Sequence, residues 1–252
     1  MANTIEYGQG AVNNTIGWGQ GAKVGGSSFS NTLSTSFDGV DDFVDIGNLS
    51  AISNTSTFSA STWFKTNNIS SQTFLWSQGS GSSQLFAPSI STKDLIVFSG
   101  SSSTFVRKNN VFNSTDWFNL VVVYDGSLTN AERIKLYLNG SLLVVSVSGT
   151  IPTTTPTFTT NAKIGGITYL TNFTFNGAID ETSFFNTALT QSDVTAVYGS
   201  GVPTDLSTYS SLTNWWRMGD SDTFPTLSDN KGSNNGTMTN MTSGNIVSDV
   251  PT

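Results

Sequence analysis

The stretch from Ser36 to Gly47, SFDGVDDFVDIG, places Asp38, Asp41, Asp42 and Asp45 within eight residues. Carboxylates at that density serve one of three chemistries. They ligate a hard cation, act as a paired acid and base, or accept the amide hydrogens of a turn. Asp38-Gly39 is a turn dipeptide with strand-like text on both sides, and Asp41 and Asp42 can cap the turn's amides through their side chains. Asp45 alternates with Val44 and Ile46, which puts it on the face of Phe43. An EF-hand loop needs acids at its first, third and fifth positions and a glycine at its sixth, and this spacing differs. Turn capping and calcium ligation by residues such as Asp41 both stay open on the residues alone.

A second pair of acids, Asp180 and Glu181 in GAIDETSFFN, raises the question of glycoside hydrolysis. That reaction needs two carboxyl groups facing each other across a cleft. Neighbours on a strand point to opposite faces, so the pattern predicts that these two do not act together. Aromatic residues form the third candidate set, either as stacking platforms for sugars or as core. Trp63 and Trp117 sit in alternating strand text and are expected in the core. Trp76 stands beside the polar run SQGSGSSQ and is the candidate for an exposed glycan platform.

The chain of 252 residues contains no His and no Cys. That excludes Ser-His-Asp and Cys-His nucleophiles, the ordinary zinc and haem sites, and disulfides. Any metal must use oxygen ligands, which points to a structural calcium ion. Ten basic and 17 acidic residues give a net charge of −7. No basic cluster is present to neutralise phosphates, so no nucleic-acid partner is expected. No stretch reaches the roughly 18–20 apolar residues of a membrane span. The opening MANTIEYGQG lacks a basic region followed by an apolar run, so it reads as synthesis without an export address.

The elements that must position these groups are strands. TFSASTWFK alternates Phe58, Ala60, Thr62 and Phe64 against Ser59, Ser61 and Trp63, and WFNLVVVYDG reads as a buried strand. Asn139-Gly140 in IKLYLNGSLLVVSVS fits a type I′ hairpin turn. One helix is signalled: Thr190 and Asp193 have capping-box spacing, and Gly199 to Gly201 stop it. It is expected across a sheet edge. With 17 Phe and 6 Trp to fill a core, the pattern predicts an all-β, two-sheet antiparallel sandwich over 31–252. Residues 1–30 differ. EYGQGAVNNTI and GWGQGAKVGGS form a tandem repeat carrying GQGA twice, too rich in glycine to fold alone. It is a linker, or an anchoring arm that uses Tyr7, Ile16 and Trp18 to bind a partner.

Taken together, SFDGVDDFVDIG, STWFK, WFNLVVVYDG, IKLYLNGSLL and GAIDETSFFNTALTQSDV resemble, in order, the laminin-G-like jelly rolls of the concanavalin A-like lectin/glucanase group. The resemblance spans about Thr32 to Tyr198. Family members usually begin with a YW strand and a loop, text found here near the C-terminus as NWWRMGDSDTFPTLSDNKGSNNGTM. The resemblance therefore implies a circularly permuted jelly roll in which Asn214 to Gly219 is a sheet strand. It also implies one calcium at Asp180, with Asp229 or Asn235 as partners, leaving Asp38, Asp41 and Asp42 mainly to the turn. The Glu-x-Asp-x-x-Glu cluster of the laminarinase branch is absent, so the resemblance implies a protein that is not an enzyme. The arm and tail further resemble structural proteins of tailed bacteriophages, marine ones in particular. That implies a homo-oligomeric virion protein assembled in the host cytoplasm, with the arm on capsid or tail proteins and the jelly roll displayed toward host-surface glycan. A cellular carbohydrate-binding module or adhesin is the alternative.

Overall fold

Alternation in the text becomes strand in the computed structural model, which describes residues 29–252 apart from 82, 83, 171 and 172. Tyr7, Ile16 and Trp18 lie outside the described residues. The chain divides into Met1–Ser30 and Asn31–Thr252, and all the elements below belong to the second unit. The first half of the fold contains β1 (Ser34–Asp38), β2 (Phe43–Asp45), β3 (Thr57–Thr66), β4 (Thr73–Phe74), β5 (Trp76–Gly81), β6 (Gln84–Ser91), β7 (Asp94–Ser99) and β8 (Ser101–Lys108). Then come β9 (Phe118–Asp125), β10 (Ile134–Leu138), β11 (Ser141–Leu142), β12 (Ser146–Ser148), β13 (Lys163–Ile164) and β14 (Asn176–Phe185). After helix α1 (Gln191–Tyr198) the chain adds β15 (Leu212–Trp216), β16 (Thr226–Leu227), β17 (Gly236–Thr239) and β18 (Ile246–Val247).

These strands form two antiparallel sheets stacked as a jelly-roll-like sandwich. The first runs β11-β10-β9-β3-β14-β1-β18, with β15 also paired to β14. The second runs β12-β8-β7-β6-β5-β13-β2-β17-β16, with β4 on β6. Strand text near Asn214 thus enters the first sheet as β15, beside the central β14. The alternation of β3 is kept: Phe58, Ala60 and Phe64 point into the space between the sheets. There they meet Trp76, Phe86 and Val97 of the second sheet, with Phe58 edge-on to Phe86 at 4.8 Å. Asn139 and Gly140 both take positive φ, 49° and 75°, and close the β10–β11 hairpin. That turn geometry matches the twist of the flanking strands.

Helix α1 follows its sequence signals, with Thr190 and Asp193 forming the capping box and Gly199 left-handed at the C-cap. It lies over the outer face of the first sheet rather than an edge, stacking Tyr198 on Trp63 at 5.7 Å. That placement covers residues such as Trp63 and Ser59 on the face of β3 turned away from the core.

Strand β14 holds a departure from simple alternation. Asp180 pairs with Trp63 and Ser183 with Ser61, so Glu181 and Thr182 together oppose one residue. Glu181 takes a φ of 46°, the mark of a β-bulge. Ile179 and Phe184 are five apart yet both reach the core, because the bulge shifts the parity of the strand. Asp180 and Glu181 consequently share the outer face. The expectation that they point apart is corrected by this one extra residue.

Candidate functional site

Beyond the core, the second sheet carries apolar side chains on its outer face as well. In β6, Phe86 and Ile90 point inward while Leu85 and Ala87 point outward. In β7, Leu95 and Val97 point inward while Ile96 and Phe98 point outward. A strand apolar on both faces needs a cover on each. The outer cover is the loop after β13, which lays Ile167, Tyr169 and Phe173 over Phe74 and Phe98. Phe74 lies 6.1 Å from Phe98, and Phe173 meets it edge-on at 6.2 Å.

The cover leaves a groove of about 240 Å³ between loop and sheet. Phe74, Leu85, Phe98, Ile167, Leu170 and Phe173 line it, with Gln72, Ser102 and Tyr169 as the polar groups. Burial raises the Tyr169 phenol, which keeps it a neutral hydroxyl able to donate. Among the described residues, none that lines it is charged. At Ile167 and Leu170 the groove meets a smaller pocket holding Asp41, Phe43, Lys163, Thr174 and Asn240. Lys163 Nζ sits 3.8 Å above the Phe43 ring. Burial lowers its pKa, partly offset by Asp45. An apolar aromatic trough with a few convergent polar groups suits the C–H faces and hydroxyls of a sugar.

The other sequence candidates occupy different places. Trp76 is 1% exposed and lies parallel to Phe86 at 5.9 Å, so it is a core residue and no glycan platform. Its strand is interior to the sheet, between β6 and β13, and Ser77, Gln78 and Gly79 after it are buried strand instead of loop. Ser77 donates to the Gly166 carbonyl, and the Gln78 amide N–H groups to Asn48 and the Thr160 carbonyl, so these donors are buried with partners. Trp117 shows the reverse. It precedes β9 and stands half-exposed on the outer face of the first sheet.

On that same face Asp180 and Glu181 lie 0% and 2% exposed. Asp180 accepts hydrogen bonds from the Asn31 side chain and the Glu181 amide, both at 2.8 Å. Glu181 accepts from the Trp215 indole and pairs with Arg217 at 3.1 Å. Arg217 also reaches Asp220 at 2.8 Å. Burial, and then the charge of Glu181, hold the Asp180 carboxyl well above its usual range. Burial likewise pushes Glu181 up to about 7, against the pull of Arg217.

Asp229 lies elsewhere, accepting five N–H groups, from Trp215, Lys231, Gly232, Asn234 and the Asn214 side chain. Asn235 spends its side-chain oxygen on the Asp229 amide. The side-chain oxygens of Asp180, Asp229 and Asn235 thus accept from N–H donors of the fold. Among the described residues, the acids whose oxygens converge are Asp38, Asp41 and Asp42, all within 4.8 Å. Asp38 also accepts from the Val40 amide, and Asp42 from the Asp38 amide and Asn245, so the turn-capping role is present. Burial pushes Asp42 up, and the neighbouring charges of Asp38 and Asp41 act in the same direction.

Comparison with known proteins adds the fold's relatives. A family model described as the concanavalin A-like lectin/glucanases superfamily matches residues 37–195. No curated protein sequence matches the chain. Among solved structures, a putative carbohydrate binding protein from Bacteroides ovatus is similar with a TM-score of 0.63 at 15% identity. That match covers 88% of this chain, which spans 62% of the Bacteroides protein's length. The CBM40 of the Ruminococcus gnavus IT-sialidase is similar with a TM-score of 0.53 at 14% identity, covering 67% of this chain and 99% of that one. The same module is also known bound to α2,3 sialyllactose.

Proposed function

Because the chain belongs to the concanavalin A-like lectin/glucanases superfamily, we propose that it is a non-enzymatic glycan-binding domain whose ligand lies in the groove outside the second sheet. The observation that carries this reading is the trough walled by Phe74, Phe98, Tyr169 and Phe173. The Ruminococcus module similar to this chain binds a sialylated glycan. Here the groove is uncharged and the adjoining pocket sets Lys163 beside Asp41, so the preferred glycan carries no net charge. Against catalysis stand the lack of His and Cys and the closure of Asp180 and Glu181 from any substrate.

Tyr169 and Phe173 are only partly buried, so removing them tests binding without emptying the core. Tyr169→Ala and Phe173→Ala are each expected to weaken neutral oligosaccharides about tenfold, or about 1.4 kcal/mol. Titration calorimetry against neutral glycans and sialyllactose checks this, with melting temperatures as the folding control. Absence of binding across the panel, or equal binding by both variants, would remove the groove from this role.

A narrower reading places the domain on the virion of a tailed bacteriophage assembled in the host cytoplasm, as a homo-oligomer displayed toward host-surface glycan. Residues 1–30 then anchor it to capsid or tail proteins through Tyr7, Ile16 and Trp18. The tandem GQGA repeat with its aromatic residues favours that reading.

A structural calcium ion, in the same proposal, is held by Asp38, Asp41 and Asp42. An ion bound only by the folded state raises stability. Adding calcium to chelator-treated protein is therefore expected to raise Tm, and Asp41→Asn to abolish the rise. An unchanged Tm in differential scanning calorimetry counts against the ion.

A further inference from the structure

A second cavity, of about 370 Å³, opens on the outer face of the first sheet, on the opposite side of the sandwich from the groove. Trp63, Lys65, Asp116, Trp117, Tyr198, Gly201 and Thr252 line it. Its walls are held in place before any ligand arrives. Trp117 donates its indole N–H to Asp249 at 3.1 Å, and Lys65 grips the other oxygen of that carboxylate at 2.8 Å. Trp63 and Tyr198 form a parallel stack, 21° from coplanar. Aromatic planes fixed in this way lose little side-chain entropy when a ligand stacks on them.

The polar groups define what can bind. Lys65 is the cation of the cavity, and its charge is already answered by Asp249. Asp116 is exposed and, among the described residues, has neither a hydrogen bond nor an ion pair, so it offers a free acceptor. Among the described side chains the balance is one uncompensated negative charge beside aromatic walls, which repels carboxylated or sulfated ligands. A group with a flat C–H face and several hydroxyl donors satisfies both features.

We propose that this cavity is a second carbohydrate subsite, for an uncharged pyranose that stacks on Trp117 and donates its hydroxyls to Asp116. The site is independent of the groove, because none of its lining residues is shared. With sites on opposite faces, one domain can bridge two glycan chains. Linking two weak contacts in this way raises effective affinity without any new contact at either site.

The test uses the full chain labelled with ¹⁵N and methyl pyranosides of neutral hexoses at millimolar concentration, with glucuronate as the charged control. The indole N–H cross-peak of Trp117 is expected to shift with the neutral sugars and not with glucuronate. Asp116→Asn should weaken that binding about tenfold, the loss of a charge-assisted hydrogen bond. Trp117→Leu should remove saturation transfer to the sugar from this face. Tyr169→Ala should leave the Trp117 shift intact, which separates failure of this subsite from failure of the groove. No shift of the Trp117 cross-peak, an undiminished shift in Asp116→Asn, or a shift lost in Tyr169→Ala would overturn the proposal.

Discussion

Arg217→Leu is expected to cost about 3–5 kcal/mol of folding stability, the usual consequence of stripping the cation from a buried ion pair. For a domain of this size that lowers Tm by on the order of 10 °C. The side chain is 15% exposed, and its partners Glu181 and Asp220 are 3% and 6% exposed. Leucine fills part of the volume but leaves Glu181 and Asp220 without their counter-charge. The loss should therefore come from uncompensated charge more than from packing. Adding Glu181→Gln to the variant should recover part of it, since the amide still accepts from Trp215 without a charge to bury. A double-mutant cycle read by urea unfolding measures that coupling. If both Arg217→Leu and the double variant unfold at the wild-type urea concentration, the network contributes nothing.

The same cluster fixes a direction for pH dependence. Glu181 is raised from 4.5 to about 7 and Asp180 lies well above 3.8. Between pH 4.5 and about 7 the folded chain holds protons that the unfolded chain has released. Stability then falls as pH rises through that window, by up to about 1.4 kcal/mol per pH unit for each such proton. Asp205 and Asp249 are held low, so they oppose this trend only as pH falls below 3.8. The urea midpoint at pH 5 is accordingly expected above that at pH 8. A higher midpoint at pH 8 would mean that the pair stays ionised in the fold.

Trp76→Ala should be comparably severe, at about 3–5 kcal/mol, because it empties a fully enclosed site. Its ring is sandwiched between Phe86, parallel at 5.9 Å, and Phe184, edge-on at 4.9 Å. The Phe184 contact joins the two sheets in the core, where neighbours cannot collapse into the void without moving strands. Trp117→Ala, at a half-exposed indole, is expected to cost far less. Thermal melts by circular dichroism of the two variants rank them, and a larger loss for Trp117→Ala would contradict the assignment of Trp76 to the core.

That pair of tryptophans, each expected in the other's place, marks where sequence reading stops. Local chemistry was readable: the capping box at Thr190, the Asn139-Gly140 turn and the alternation of β3 are decided by neighbours a few residues away. Whether a strand is central or peripheral is decided by pairing across the whole chain. SQGSG therefore reads as loop, although β5 pairs with β13 at Trp76 and Ser77 and with β6 from Gln78 on. The bulge at Glu181 is equally non-local, since nothing in GAIDETSFF announces an extra residue against β3. The groove went unread because Phe74, Phe98 and Phe173 converge only through the order β7-β6-β4 and the covering loop. A signal was present in DLIVFS, where apolar residues at successive positions require cover on both faces.

The pairing of β1 with β18 sets how the domain answers a mechanical load. Ser34 lies opposite Val247 and Thr35 opposite Ile246, and the two strands run antiparallel. A pull between residue 31 and residue 252 thus acts on one end of a two-rung ladder and separates its rungs in succession, as a zipper opens, instead of shearing them together. Under the function proposed above, drag on a glycan-bound domain tethered at 31 would enter through the proposed sites and bypass this zipper, which traction on the tail would peel apart.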